Sequence, residues 1–244
     1  MILYARFRGA HLHLPLKSIA IIPARGGSKR IPGKNIKTFG GRPIIAYSIA
    51  AACGAACFEQ VMVSTDDAQI KSVAEGQGAS VPFLRSPGNS DDFAAIADVC
   101  LEVLQQYEAQ GQTFDLLCCI LPTAPFVSSA RLIEGLELLC RSEADAVVPV
   151  AAFSYPVQRA LQIDEKGTLS MIWPENYNKR SQDLPPSYHD AGQFYWIRTE
   201  VLKSEKKFFV ANSRALILAD AEVQDIDSPE DWQLAELKYS LIKR

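Results

Sequence analysis

Ser18 to Pro23 reads SIAIIP and leads directly into ARGGSKRIPGKN, Ala24 to Asn35. A short run of consecutive β-branched and apolar residues is the pattern of a strand covered on both faces, as in parallel sheets with helices above and below. The loop after it carries Arg25, Lys29, Arg30 and Lys34 and no acid. In a doubly wound sheet, ligands bind beyond the carboxyl ends of the strands, where such a loop lies.

The rest of the chain repeats this alternation. Gly41-Arg42-Pro43 opens an expected helix from Ile44 to about Ala56, with Pro43 suited to a first helical turn. Gln60 to Thr65 is a strand, and Asp67 to Gln77 a helix with an acidic start. Ser80 to Leu84 is a third short strand. Arg85 to Asp92 is turn-rich, with Asp91 and Asp92 reading as a helix cap, and Phe93 to Tyr107 has helical apolar spacing. Leu116 to Leu121 is a continuous apolar strand ended by PTAP, followed by a helix from about Ser129 to Arg141 and a strand from Ala146 to Val150. Short connections in this order demand right-handed crossovers and a mainly parallel sheet.

After Val150 the rhythm changes. Residues 151–192 hold short strand candidates at Ala160 to Ile163 and Leu169 to Ile172 and a polar stretch at Asn176 to Pro186, an expected β-rich arm or lid. Gln193 to Ile197 returns to strand and Ala215 to Leu218 adds another. Ser228 as N-cap and Pro229 at the first position start a final helix to about Ile242.

Charge divides the chain. Residues 1–58 contain nine Lys or Arg and no Asp or Glu, whereas the remainder has 16 basic and 28 acidic residues and carries −12. Nucleic-acid binding is one reading of a basic end. No surface aromatic set is interleaved with these cations, however, and several are fixed between Gly and Pro. A compact site for an anionic small molecule fits better, facing acids able to hold a divalent cation. The first sixteen residues, MILYARFRGAHLHLPL, read as a disordered or non-native extension, leaving residues 17–244 as the folded domain. No apolar run approaches the roughly 18 to 20 residues of a membrane span. The six cysteines form no CxxC pair and read as buried small hydrophobes in a reducing cytoplasm.

Glycines in the opening loop let the backbone approach phosphates, while Arg offers a bidentate fork and Lys a movable charge. The spacing is neither Walker A nor GxGxxG. Composition alone leaves a phosphate loop and a solvated basic turn about equally supported. Asp225 and Asp227 alternate, so an extended segment puts both carboxylates on one side, a plausible hard-cation site beside substrate phosphates. Such a pair is often merely structural, but the basic loop favours the metal reading. Asp66 and Asp67 read mainly as helix-start residues. No Ser-His-Asp or Cys-His arrangement is evident, so any catalysis rests on positioning and electrostatics.

IIPARGGSKRIPGKN closely resembles the signature of the CMP-sugar-acid synthetases, cytidylyltransferases that activate nonulosonic acids. VSTDD at Val63 to Asp67, PTAP at Pro122 to Pro125 and QDID at Gln224 to Asp227 extend the resemblance over nearly the whole chain. CILPTAPF, YHDAGQFYW and QDIDSPEDWQLAELKY look most like the members that use pseudaminic acid. The resemblance implies a Rossmann-like nucleotidyltransferase (GT-A-like) α/β three-layer sandwich, with a mainly parallel sheet and a small β-rich dimerisation arm. It implies a cytoplasmic homodimer that transfers CMP from CTP to a nonulosonic acid with Mg2+, without nucleic acid or membrane partners. By the same resemblance Ala24, Arg25, Gly26, Gly27, Ser28, Lys29, Lys34, Asn35 and Arg85 bind the nucleotide. Asp225 and Asp227 hold the metal. Arg25, Lys34 and Asp227 are catalytic, Asp227 helping to deprotonate the attacking hydroxyl.

Two departures bear on the sugar and one on the nucleotide. Where sialic acid enzymes have Gln before PTSP, this chain has Leu121, and their DTASS-like stretch appears as Asp91-Asp92-Phe93-Ala94-Ala95. An apolar neighbour suits pseudaminic acid, whose tail ends in a methyl group, over sialic or legionaminic acid. Leu121, Gln193, Phe194 and Tyr195 are the expected sugar-binding residues. The chain also reads LRSP at Arg85 where the family usually has LRP. A nucleotide-binding protein with a degenerate site is the competing reading.

Overall fold

A computed structural model describes residues 16–90 and 95–242. The expected cap at Asp91 and Asp92, the start of the helix at Phe93, and nearly all of the N-terminal extension lie outside the described residues.

The central sheet begins with β1 (Ser18–Pro23). Its side chains alternate between two cores, Ala20 and Ile22 on one face and Ile19 and Ile21 on the other, all fully buried. This is why the run is apolar without alternation. The basic loop follows, ending in a 3₁₀ turn over Lys34–Ile36. A small hairpin then appears where the sequence pattern suggested a helix start. It pairs β2 (Thr38–Phe39) with β3 (Arg42–Pro43). Gly40 and Gly41 both have positive φ, 54° and 95°, as a two-residue primed hairpin turn requires. Pro43 therefore lies in β3, and α1 runs Ile45–Ala55.

β4 (Gln60–Ser64) leads to α2 (Ala68–Gly76), whose N-cap Asp67 accepts from the N–H groups of Gln69 and Ile70. The expected strand at Ser80 to Leu84 is reduced to one parallel bridge between Met62 and Ser80. Ser80 donates to Val61 O and receives from Val63 N. The next ladder donor would be residue 82, a proline with no N–H, so pairing stops. α3 (Ile96–Ala109), β5 (Leu116–Ile120), α4 (Ser129–Arg141) and β6 (Ala146–Ala152) follow.

In the arm region, β7 (Leu161–Ile163) and β8 (Leu169–Met171) pair, among the described residues, only with each other. β9 (Tyr188–Asp190) pairs antiparallel with β6. β10 (Phe194–Arg198), α5 (Thr199–Glu205), β11 (Ser213–Leu218) and α6 (Pro229–Ile242) complete the chain.

The sheet order is β11-β6-β10-β5-β1-β4, with β9 on β6. β1 is parallel to β4 and β5, and β11 to β6. β10 runs antiparallel between β5 and β6. The sheet is thus mainly parallel with one long strand reversed. Helices α1, α2 and α4 cover one face and α3 and α5 the other. A third, smaller core joins Ile31, Phe39, Ile44 and Tyr47 to Ile226, Trp232 and Ala235. It fastens α6 beneath the opening loop. No described helix is long and apolar enough to cross a membrane.

Candidate active site

The loop after β1 is built by contacts from three directions. Ala24 N–H donates to Ser64 O at 2.8 Å, carrying the β1–β4 ladder past the strand end. The buried Asn35 donates from Nδ2 to Arg25 O at 2.9 Å, tying the end of the loop to its beginning. Gly26 N–H donates to Asp66 Oδ1 at 2.9 Å. A Cβ at Gly26 would come within 2.9 Å of Asp67 Oδ2, so the backbone passes too close to that carboxylate for a side chain. Asp66 and Asp67, read from sequence as a helix start, thus also shape the loop. Their position just after a strand end was the available signal.

The loop faces the segment before α6. Ile226 is fully buried in the small core with Ile31, and the two acids flanking it remain accessible. Asp227 is 3.0 Å from Arg30 and 3.6 Å from Lys34. Lys34 Nζ also donates to Ile226 O at 2.6 Å. Partial burial of its carboxyl group, and then the negative charge of Asp227, push the Asp225 acid above the usual carboxylate range, with Lys34 opposing. The two carboxylates therefore interact as neighbours. Asp231 accepts from the N–H groups of Asp227 and Ser228, and its own N–H donates to Ser228 Oγ. The start of α6 thereby holds Asp227 in place.

A cavity of about 630 Å³ opens over the loop. Arg25, Ser28, Lys29, Arg30, Lys34 and Asn35 form its cationic side. Arg85 and Asn89 line another part, with Ile96 and Val99 of α3 and the segment Leu121, Pro122 and Thr123 completing the wall. Arg85 is 8% exposed and donates to Ser64 Oγ and Ser64 O. Burial lowers its affinity for a proton, opposed chiefly by Asp66. The serine inserted after it does not remove Arg85 from the cavity. Arg30, Asn89, Ile96 and Val99 were not assigned to the site from sequence. Arg30 was visible as a loop cation, whereas nothing local marks the other three.

The expected sugar residues separate. Leu121 lines the cavity, its N–H donating to Gln193 O at 2.8 Å. Gln193, Phe194 and Tyr195 are not among the lining residues. Phe194 is fully buried with Trp196 beneath α4, and this is a correction: it is a core residue. Gln193 is buried and donates its side-chain amide to Glu222 O. Tyr195 points to the other sheet face, stacked on Phe208, with its hydroxyl donating to Asp190. Strand alternation sends successive residues to opposite faces, so Phe194 and Tyr195 of β10 cannot share one wall.

Asp225 and Asp227 are hard oxygen donors beside a phosphate-sized cationic surface. That donor set suits magnesium, which takes few protein ligands along with substrate phosphates and water. Among the described residues there is no larger group of His, Cys, Asp and Glu able to hold a metal ion.

Residues 19–221 match the family described as Cytidylyltransferase. The chain is 37% identical over 226 residues to the pseudaminic acid cytidylyltransferase of Campylobacter jejuni subsp. jejuni serotype O:2, covering 93% of this chain and 97% of that protein. It is 34% identical over 228 residues to the CMP-N,N'-diacetyllegionaminic acid synthase of Legionella pneumophila, covering 91% and 95%. The solved structure of CMP:2-keto-3-deoxy-manno-octonic acid synthetase complexed with CTP superposes with a TM-score of 0.68 at 18% identity, over 93% of this chain and 99% of that one. This last likeness concerns the fold.

Proposed function

The chain belongs to the cytidylyltransferase family and is a CTP-dependent nucleotidyltransferase, and on that premise we propose that it transfers CMP to the anomeric hydroxyl of pseudaminic acid. The observation that carries the reading is the pairing of Asp227 with Arg30 and Lys34, two cations that line the cavity. A triphosphate needs the cations, and a metal needs the acid.

In the proposed reaction the anomeric oxygen attacks the α-phosphorus of CTP. The bond from that phosphorus to the bridging oxygen breaks, and pyrophosphate leaves with the bond's electron pair. Arg25, Ser28, Lys29, Lys34 and Asn35, with the loop backbone at Ala24, Gly26 and Gly27, hold the triphosphate, and Arg85 holds the nucleotide. Asp225 and Asp227 would hold magnesium, which when bound neutralises charge on the phosphates. Asp227 receives the proton of the attacking hydroxyl. Preorganised charge of this kind lowers a phosphoryl-transfer barrier without a covalent nucleophile.

Leu121 on the cavity wall and the Campylobacter relative support pseudaminic acid as the sugar. The Legionella relative keeps legionaminic acid as the second reading, with sialic acid beside it. We place the reaction in the cytoplasm, since six unpaired thiols suit a reducing compartment. We also propose a homodimer through the arm. Its hairpin exposes Leu161, Ile163 and Leu169, and a lone two-stranded hairpin is at best marginally stable without further packing.

The test measures pyrophosphate release with CTP, magnesium and one sugar at a time: pseudaminic, legionaminic and sialic acids and 3-deoxy-octulosonate. Pseudaminic acid is expected to give the highest kcat/KM. A higher value for another sugar overturns the sugar assignment, and no release with any of them overturns the reaction. For the metal, Asp227→Ala is expected to stay folded, lose most turnover and weaken magnesium binding measured by titration. Unchanged binding removes Asp227 from the metal site.

A further inference from the structure

The cavity wall opposite the basic loop depends on one carboxylate that no part of the reaction uses. Glu102 sits in the middle of α3. Its Oε1 accepts the backbone N–H of Ser86 at 2.8 Å and the side-chain amide of Gln106 at 3.2 Å. Its Oε2 accepts the hydroxyl of Ser86 at 3.1 Å and the side-chain amide of Asn89. Three of these four donors come from the short segment that directly follows Arg85. That segment makes only a single 3₁₀ turn, Pro87–Asn89, and belongs to no sheet. Within the segment, the hydroxyl of Ser90 donates to Ser86 O at 2.7 Å, and the N–H groups of Asn89 and Ser90 donate to Ser86 O and Pro87 O, each at 3.2 Å.

The two ends of this segment face the ligand space. Arg85 and Asn89 both line the cavity, as do Ile96 and Val99 of the helix that bears Glu102. The inserted serine of LRSP is thus the residue Glu102 grips twice, through N–H and hydroxyl. Charged hydrogen bonds of this kind are stronger than neutral ones. A carboxylate taking four at once can order a segment that secondary structure leaves free.

We propose that Glu102 is a positioning residue of the nucleotide site: it gathers Ser86 and Asn89 onto α3, and so fixes the wall between Arg85 and α3 that receives the nucleotide. The inference rests on the CTP reading. Glu102 is not among the residues lining the cavity, so on this proposal it acts on nucleotide affinity through Ser86 and Asn89 and leaves the chemical step alone.

The experiment compares wild type, Glu102→Ala and Glu102→Gln, with Glu108→Ala as a control that removes a surface partner of Lys203 on the same helix. CTP binding is measured by calorimetry, and KM for each substrate and kcat by pyrophosphate release. Glu102→Ala is expected to raise the CTP Kd and KM about tenfold or more, with kcat and the sugar KM within twofold. Glu102→Gln keeps one acceptor oxygen for the Ser86 N–H but loses the charge and the second acceptor, so its CTP Kd is expected to lie between those of wild type and Glu102→Ala, severalfold above wild type. Glu108→Ala should leave all constants within twofold. Loss of kcat with unchanged CTP affinity, equal rises in both KM values, or a Glu102→Ala protein that binds CTP like wild type overturns the inference. If Glu102→Ala does not fold, Glu102→Gln decides: a CTP Kd raised severalfold with kcat kept supports the proposal, and an unchanged Kd overturns it. Absence of CTP binding by the wild type overturns the nucleotide reading and this inference together, whereas normal wild-type binding with unchanged variants overturns the inference alone.

Discussion

Lys34 donates from Nζ to the backbone carbonyl of Ile226 at 2.6 Å, joining the opening loop to the segment before the last helix. The same ammonium lies 3.6 Å from Asp227. One side chain therefore ties the cationic side of the site to the acidic side. Lys34→Met keeps the length and removes the charge. We expect kcat/KM for CTP to fall by about 10²-fold or more, the scale of losing one preorganised electrostatic donor. Lys34→Arg should recover only part, because a planar fork cannot replace a compact charge aimed at one carbonyl. Steady-state pyrophosphate release checks both, and a Lys34→Met enzyme within threefold of wild type would remove Lys34 from the machinery.

Gly26 tests the loop from the opposite side. An added Cβ meets Asp67 Oδ2 at 2.9 Å, and that carboxylate is committed to capping α2. Gly26→Ala should displace the loop or the cap and cost about 1–3 kcal/mol in thermal unfolding, as overpacking does. Truncating the obstacle in Gly26→Ala/Asp67→Ala should recover part of the loss, offset by about 1 kcal/mol for the missing cap. A double variant less stable than the sum of the single losses would refute the contact as the cause.

What the sequence made legible follows the range of the interactions. SIAIIP identified a strand buried on both faces, and the acid-free start against the −12 remainder identified two poles. The basic loop and Asp227 do meet in space. Local punctuation was less reliable. Pro43 looked like a helix start because nothing nearby shows that Gly40 and Gly41 turn a hairpin. Pro82, inside the apolar run from Ser80 to Leu84, stops the third strand because it has no N–H to donate. The reversed β10 between two parallel neighbours is a choice of pairing partner, which a strand's own pattern does not encode. The grip of Glu102 on Ser86 and Asn89 is likewise invisible, since a glutamate in mid-helix has the same local signature whether it faces solvent or a loop.

In the proposed reaction Leu121, on the cavity wall, is the residue set against the sugar. Its N–H is fixed by Gln193 O and its own carbonyl accepts from Ser48 Oγ at 2.7 Å, so the backbone at the cavity wall is held from both sides. Leu121→Gln should leave that backbone in place and change only the side chain. A methyl-bearing acceptor loses an apolar contact, and a hydroxylated one gains a partner. The ratio of kcat/KM for pseudaminic over sialic acid is expected to fall by about tenfold or more, with KM for CTP unchanged. A constant ratio would mean that the sugar is read elsewhere.

Glu222 connects stability to pH at a position away from the reacting groups. Arg131 of α4 engages both of its oxygens, at 2.9 and 2.7 Å, while also reaching Glu134. The Arg131 hydrogen bonds hold the Glu222 acid below the usual glutamate range, against some burial. A carboxyl with a depressed folded-state pKa stabilises the fold above its ordinary, unfolded value. That contribution disappears as pH falls through the depressed folded value. The pair is partly solvated, so its contribution is about 1 kcal/mol or less. Glu222→Gln should therefore lower Tm by a few degrees near neutral pH and by progressively less as pH drops below about 4, until the two proteins unfold together in acid. Melting curves from pH 3 to 8 measure the difference directly. A gap that stays constant over this range would show that Glu222 acts through packing rather than through its charge.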